Sequence, residues 1–223
     1  MEFIRITSID NPLFKSMHEL MQKVFPPEEV LAFDAWRDPL EDPAIRVCVA
    51  VHDGGVVGAT EYRYYADFRV AMTDFTIVGR AGLGIGRFIF VRRQSDIAQW
   101  AERQSSVPLG MFAEVYDPYR AEKHAFGGIK VMDPFVRREV LSHLGYRRLD
   151  FPYVHPSWKN NGAAVTELDL CFLPADETLQ ELPADVVANF LTRYYSVLPN
   201  KPAEWRTMLV QLRTQEFVPL APL

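Results

Sequence analysis

The stretch Gly79-Arg80-Ala81-Gly82-Leu83-Gly84-Ile85-Gly86-Arg87 joins a β-rich run, Val70 to Val78, to a segment of helical spacing that extends to about Gln104. Gly82, Gly84 and Gly86 clear Cβ atoms from the backbone where that helix begins. A first helical turn carries unpaired N–H groups and the positive end of the helix dipole, and both attract anions. Arg87 adds a formal positive charge in the same turn. Strand, glycine turn and helix in this order predict a site for a phosphate-bearing ligand. Three glycines in alternation also weigh against a plain connector, which avoids their entropic cost.

The spacing narrows the ligand. No Gly-Lys-Ser or Gly-Lys-Thr run follows the turn, so the nucleoside-triphosphate loop is absent. A dinucleotide fingerprint counted from Gly82 puts Arg87 where the third glycine belongs, and counted from Gly84 it puts Ile89 there.

Outward from the turn, Ile45 to His52 and Val56 to Tyr65 read as strands of a hairpin around Asp53-Gly54-Gly55. Upstream, Phe14, Met17, Leu20, Met21 and Val24 recur at helical spacing within Asp10 to Trp36, until Pro26-Pro27 interrupts them and Glu28 to Trp36 resumes as a second short helix. Downstream, Leu109 to Val115 is a short apolar strand holding one carboxylate, Glu114, and Tyr116 to Lys130 is a polar stretch without periodicity. Asp133 and Pro134 start a helix with a Val136/Val140/Leu141/Leu144 stripe that Gly145 ends. Arg147 to Val154 and Val165 to Leu173 read as strands. After Leu173 prolines punctuate two helical segments, Ala184 to Val197 and Ala203 to Glu216.

The loop resembles the pyrophosphate loop of the GNAT acyl-CoA N-acyltransferase superfamily, written Arg/Gln-x-x-Gly-x-Gly/Ala, with Ala81-Gly82-Leu83-Gly84-Ile85-Gly86 in register and the arginine one place early at Arg80. Leu144-Gly145-Tyr146-Arg147 is similar to the turn that ends the fourth helix in that family, and the element order from about Phe3 to Leu173 is similar too. The resemblance implies an α/β (α+β) fold: a mixed, mostly antiparallel central sheet with two splayed parallel strands, helices on both faces and a C-terminal helical extension. Residues 1–173 then form the acyl-CoA-binding domain, enlarged by the loop 116–130, and 174–223 an extension packed on it.

Composition agrees with a globular chain: 223 residues, 48% hydrophobic and 24% charged, with a net charge of −5. That charge offers no basic field for nucleic acid, which is excluded as principal partner. The absence of an apolar run long enough to span a bilayer, and a start, MEFIRITSID, without a secretory pattern, point to a cytoplasmic protein with no membrane partner. Cys48 and Cys171 sit in apolar runs and read as buried thiols. None of the five histidines stands three or four residues from another, so no metal is expected.

The resemblance further implies acetyl-CoA as co-substrate and a small-molecule or peptide amine as acceptor, in a monomer or homodimer. Backbone amides of Leu83, Gly84, Ile85, Gly86 and Arg87, with Gly82, would hold the pyrophosphate, and Phe75, Ile77 and Val78 would pair with the pantetheine arm. Glu114, at the end of its strand, is the first choice of general base, ahead of Asp74 and Glu61. The family's usual acid, a tyrosine four residues before the helix-ending glycine, falls on Leu141, which leaves Tyr116, Tyr119, Tyr146 or Tyr153 to replace it, Tyr116 first. Tyr62, Tyr64 and Tyr119 would line the acceptor pocket. Two alternatives stand beside this enzyme: a CoA-binding module without turnover, and a transferase of longer acyl chains with its tunnel walled by the apolar tail.

Overall fold

A computed structural model of the chain describes residues 1–25, 30–120, 133–159 and 161–223. The described residues fall into two compact units, 1–108, and 109–120 with 133–223.

The first unit runs β1 (Glu2–Ile6), α1 (Pro12–Val24), a 3-10 turn (Phe33–Trp36) leading into α2 (Arg37–Glu41), β2 (Ile45–His52), β3 (Gly55–Tyr65), β4 (Val70–Val78) and α3 (Ile85–Arg103). β1 to β4 pair in sequence order, all antiparallel. Asp53 and Gly54 both take positive φ, 50° and 75°, which matches the right-handed twist of the β2–β3 hairpin. The β2 pleat sorts the core. Val47, Val49 and Val51 pack with Phe14, Met17, Leu20 and Met21 of α1 and with Trp36 and Leu40, whereas Ala50 packs with Ile85 and Ile89 of α3. Gly58 permits the close approach of α3, because a Cβ there would stand 2.6 Å from the Ile85 side chain and 2.7 Å from the Ile77 carbonyl. Between β3 and β4 the register steps from Glu61↔Phe75 to Tyr62↔Thr73, so Asp74 is the extra residue of a bulge.

Both hairpin strands and β4 lie where their patterns predict. β1 was not anticipated; only Ile6 of its five residues is buried, too weak an alternation to read. Of the helix expected over Glu28 to Trp36, residues 28–29 lie outside the described residues, and its end is the 3-10 turn.

The second unit runs β5 (Gly110–Tyr116), α4 (Pro134–His143), β6 (Arg147–Leu149), β7 (His155–Pro156), β8 (Ala164–Val165), β9 (Leu168–Pro174), β10 (Glu181–Pro183), α5 (Ala184–Tyr194), a 3-10 turn (Tyr195–Val197), α6 (Ala203–Leu212) and β11 (Phe217–Pro222). Its sheet has the order β5-β9-β6-β11-β10, antiparallel throughout, with β7 and β8 as a separate hairpin. Every residue of β9 is buried, and Phe112 of β5 stacks on Phe190 of α5 at 4.3 Å between ring centroids.

The strand expected over Arg147 to Val154 stops at Leu149; Pro152 has no N–H to extend a ladder. The tail holds both expected helices and also β10 and β11, the latter paired to β6 through Leu220↔Leu149. Pro219 and Pro222, read as breakers, stand on β11. Asp133 caps α4 by accepting from the amides of Phe135 and Val136, as its position predicts. The apolar stripe of α4 is not core, however: Val136 is 46% and Val140 41% exposed. Spacing identifies an apolar face without saying what covers it.

Candidate functional site

In the first unit the loop after β4 begins where the Gly79 amide donates to the Val57 carbonyl at 2.9 Å. Gly82 and Gly84 take φ of 83° and 65°, the left-handed region that side chains disfavour, and nothing stands within 4 Å of where their Cβ atoms would be. Gly84 is the N-cap of α3, and no side chain caps that helix. The amides of its first turn therefore open onto a cradle with no Cβ in it, flanked by the exposed Arg80 and Arg87. An extended anion such as a pyrophosphate fits this donor set.

The β4 residues expected beside a pantetheine arm alternate in exposure. Val78 is 40% exposed, Ile77 is buried, and Phe75 is partly buried with its ring edge-to-face on Trp36 and Phe25. Tyr62 and Tyr64, expected in an acceptor pocket, instead lie buried toward α3. The Tyr62 hydroxyl donates to Asp96 at 2.6 Å, where Arg46 also binds, and Tyr64 shares a 2.8 Å hydrogen bond with Ser106. The fully buried Tyr62 ring thus belongs to the packing of α3 on the sheet.

Glu61 and Asp74, the second-choice carboxylates, face each other across the bulge with Arg63 bridging them, at 3.2 Å to Glu61 and 3.3 Å to Asp74. Burial, reinforced by the Asp74 charge, pushes the Glu61 carboxyl up to about 8. The folded state then holds this proton more tightly than the unfolded chain. The stabilisation is complete below the ordinary carboxyl range and is lost as pH rises through about 8. Glu61→Gln, which mimics the protonated form, is expected to flatten that decline. Melting curves from pH 5 to 9 would show the wild-type midpoint falling relative to the variant by a few degrees, on the scale of ~2–4 °C per kcal/mol for a chain of this size. Parallel curves would refute the assignment.

In the second unit Phe112, Glu114 and Tyr116 share one face of β5, and Ala113 and Val115 the other. The Glu114 carboxylate is the centre of a buried constellation. Tyr153 and Tyr195 both donate to its Oε1 and stand 2.8 Å from each other, and His155 Nε2 lies 3.6 Å from Oε2. Tyr153 and Tyr195 are 4% and 0% exposed, and burial with the Glu114 charge raises both phenols well above their ordinary range, so they stay donors. Neither Tyr195 nor His155 was among the sequence candidates. No local spacing ties a tail residue to β5.

Tyr116 is half-buried at the end of β5. Tyr119 is 81% exposed, with its ring edge-to-face on Phe135. Of the long stretch Tyr116 to Lys130, the described part is anchored by Arg120, which bonds Asp117, Asp169 and the Thr166 carbonyl; the rest lies outside the described residues. Cys48 and Cys171 are buried, and burial pushes the Cys48 thiol up to about 11, as expected of inert thiols. Among the described residues no cluster of His, Cys, Asp and Glu suits a metal, and no helix is long and apolar enough to cross a membrane.

No protein-family model matches the sequence, and no curated protein does. Solved structures do. A protein described as an acetyltransferase of the GNAT family from Bacteroides thetaiotaomicron superposes with a TM-score of 0.57 at 15% identity, over 89% of this chain and 97% of its own. An aminoglycoside 6'-N-acetyltransferase complexed with coenzyme A gives 0.53 at 14% identity, over 77% of this chain and 95% of its own. The ribosomal-protein-S18-alanine N-acetyltransferase from Escherichia coli gives 0.50 at 11% identity, over 80% and 99%. At such identities the likeness is one of fold. The chain has the mixed α/β fold of the GNAT acyltransferases.

Proposed function

We propose that the protein is an acyl-CoA-dependent N-acyltransferase that moves an acetyl group from acetyl-CoA to a primary amine of a small molecule or peptide. The observation that carries this reading is the loop: left-handed Gly82 and Gly84 open onto the uncapped first turn of α3 in a chain with the GNAT fold. The amides of Leu83 to Arg87 would hold the CoA pyrophosphate, with Arg80 and Arg87 adding charge. Similar structures support an amine acceptor, one being named for an aminoglycoside and another for a ribosomal-protein alanine.

In direct transfer the neutral amine attacks the thioester carbonyl carbon. A C–N bond forms, the C–S bond breaks, the amine proton passes to a carboxylate and the thiolate leaves with a proton. Glu114 is the proposed base and Tyr116, on the same face of β5, the proposed donor to the thiolate. Thiol release from acetyl-CoA across a panel of primary amines, with calorimetric titration of CoA, tests the proposal. CoA binding together with amine-dependent thiol release is expected. Binding with no turnover on any amine would make the protein a CoA-binding module instead.

A further inference from the structure

We infer that Tyr195, supplied by the C-terminal tail, acts with Tyr153 and His155 as a set of positioning residues that fix the Glu114 carboxylate with Oε2 as its proton-accepting atom. The inference rests on the acyltransfer reading and adds the tail to its machinery.

Two separate segments converge on one carboxylate. Tyr153 precedes β7, His155 begins it, and Tyr195 follows α5. Both phenols spend their hydroxyl hydrogens on Oε1. A carboxylate oxygen that already accepts two hydrogen bonds is a poor recipient for a further proton, so the accepting capacity left is at Oε2. There His155 Nε2 stands at 3.6 Å, and the imidazole packs edge-to-face on the Tyr195 and Trp158 rings at 5.6 and 6.1 Å, the two rings being in contact with each other. The carboxylate is therefore held at Oε1 by two phenols that are themselves packed, which fixes its torsion, while Oε2 faces the imidazole at ion-pair rather than hydrogen-bond distance.

A purely structural tie does not need this arrangement. The Tyr153 and Tyr195 hydroxyl oxygens stand 2.8 Å apart, so one phenol could donate to the other in place of the carboxylate. Burying Glu114 to only 14% side-chain exposure costs solvation, yet the structure keeps it there and leaves Oε2 without a phenol donor. In the transfer step the amine nitrogen loses a proton as the C–N bond forms, Oε2 gains it to give the neutral acid, and solvent recovers it after the amide leaves. No redox partner is required.

Among the described residues, the titratable groups facing Glu114 and Tyr195 include Tyr153 before β7 and Tyr194 at the end of α5, and beyond them stands Lys201, whose ammonium donates to the Leu198 carbonyl and lies 5.5 Å from the Trp205 ring.

The test uses the full-length chain and the variants Tyr195→Phe, Tyr153→Phe, His155→Gln and Glu114→Gln. With the best amine of the panel, Tyr195→Phe is expected to lower kcat about 10- to 100-fold, on the scale of a misplaced catalytic group, with the KM for acetyl-CoA unchanged and the pH profile of kcat/KM displaced. A drop with an unmoved pH profile would reduce Tyr195 to a packing residue and overturn the inference. Should Tyr195→Phe not fold, Tyr153→Phe carries the same expectation.

A second readout needs no turnover. The His155 ring resonances, assigned by their loss in His155→Gln, are compared between wild type and variants by NMR at one pH. Their chemical shifts are expected to move in both Glu114→Gln and Tyr195→Phe, the second of which keeps the ring against the imidazole and removes only the hydroxyl. His155 resonances that move in the first and not in the second would show that Tyr195 does not position the carboxylate, and would overturn the inference. If no amine releases thiol, the acyltransfer reading falls, and the NMR series still decides whether Tyr195 positions Glu114.

Discussion

Replacing Glu114 by glutamine is expected to lower kcat by about 10²- to 10⁴-fold, the range that a positioned general base contributes. The substitution is conservative in shape. The amide oxygen of glutamine can still accept from Tyr153 and Tyr195, so the packing of β5 against the tail is preserved. What is lost is the capacity to take a proton at the second oxygen. Because that interaction arises only as the amine is deprotonated, kcat and kcat/KM for the amine should fall together. CoA affinity measured by calorimetry should stay within a factor of two or so of wild type, because the loop amides of the first unit do not depend on this carboxylate. A variant that keeps the wild-type rate and pH profile would remove Glu114 from the chemistry and shift attention to Glu61, whose carboxyl burial beside Asp74 pushes up to about 8.

The contrast between these two regions explains what could be read from the chain beforehand. The cradle is local: Gly82 and Gly84 take positive φ, Gly84 caps α3, and all of this follows from residues within one turn of each other. The same holds for the Asp53-Gly54 hairpin and the Asp133 cap. Glu114 itself was findable, because a lone carboxylate in an apolar strand must face something polar. Its partners were not. Tyr195 is 81 residues away in sequence, in a tail that looked like a docked appendage, and nothing in its neighbourhood distinguishes it from Tyr194. The tyrosines chosen by analogy fared differently: Tyr62 is spent on Asp96, an ion-pair partner of Arg46 that only the packing of α3 on the sheet brings there. Long-range polar pairing leaves no periodicity, whereas backbone conformation leaves glycines.

The tail also shows that proline is a poor guide to the end of structure when a sheet edge is near. Pro219 and Pro222 stand on β11, which lies between β10 and β6. In consequence the residues that hold Glu114 are not on a loose extension. Tyr195 follows α5, whose Phe190 is stacked on Phe112, two residues from Glu114 on the same strand face. The core that packs α5 and the hydrogen bonds that fix the carboxylate are one construction, so loss of tail packing and loss of carboxylate geometry should occur together.

The second large effect is expected at the cradle. Valine at both Gly82 and Gly84 should weaken CoA binding by roughly 100-fold or more, taking about tenfold per 1.4 kcal/mol and a left-handed penalty of about 1–2 kcal/mol per residue. Neither Cβ would meet another atom within 4 Å, so the cost lies in backbone conformation and in the side chains that would project into the open space above the α3 amides. Gly86 supplies the control. It does not take positive φ, and a Cβ there would meet only the Val78 side chain, at an ordinary 3.5 Å. Gly86→Ala should therefore leave the melting temperature nearly unchanged, and any loss of CoA affinity in it reports on the ligand side of the loop alone. The double valine variant should melt a few degrees lower and bind CoA weakly in calorimetry, with the far-UV spectrum retained. If it bound CoA as wild type does, the loop would not be the pyrophosphate cradle, because no anion could keep its contacts with these amides while the two residues that shape them relaxed out of the left-handed region.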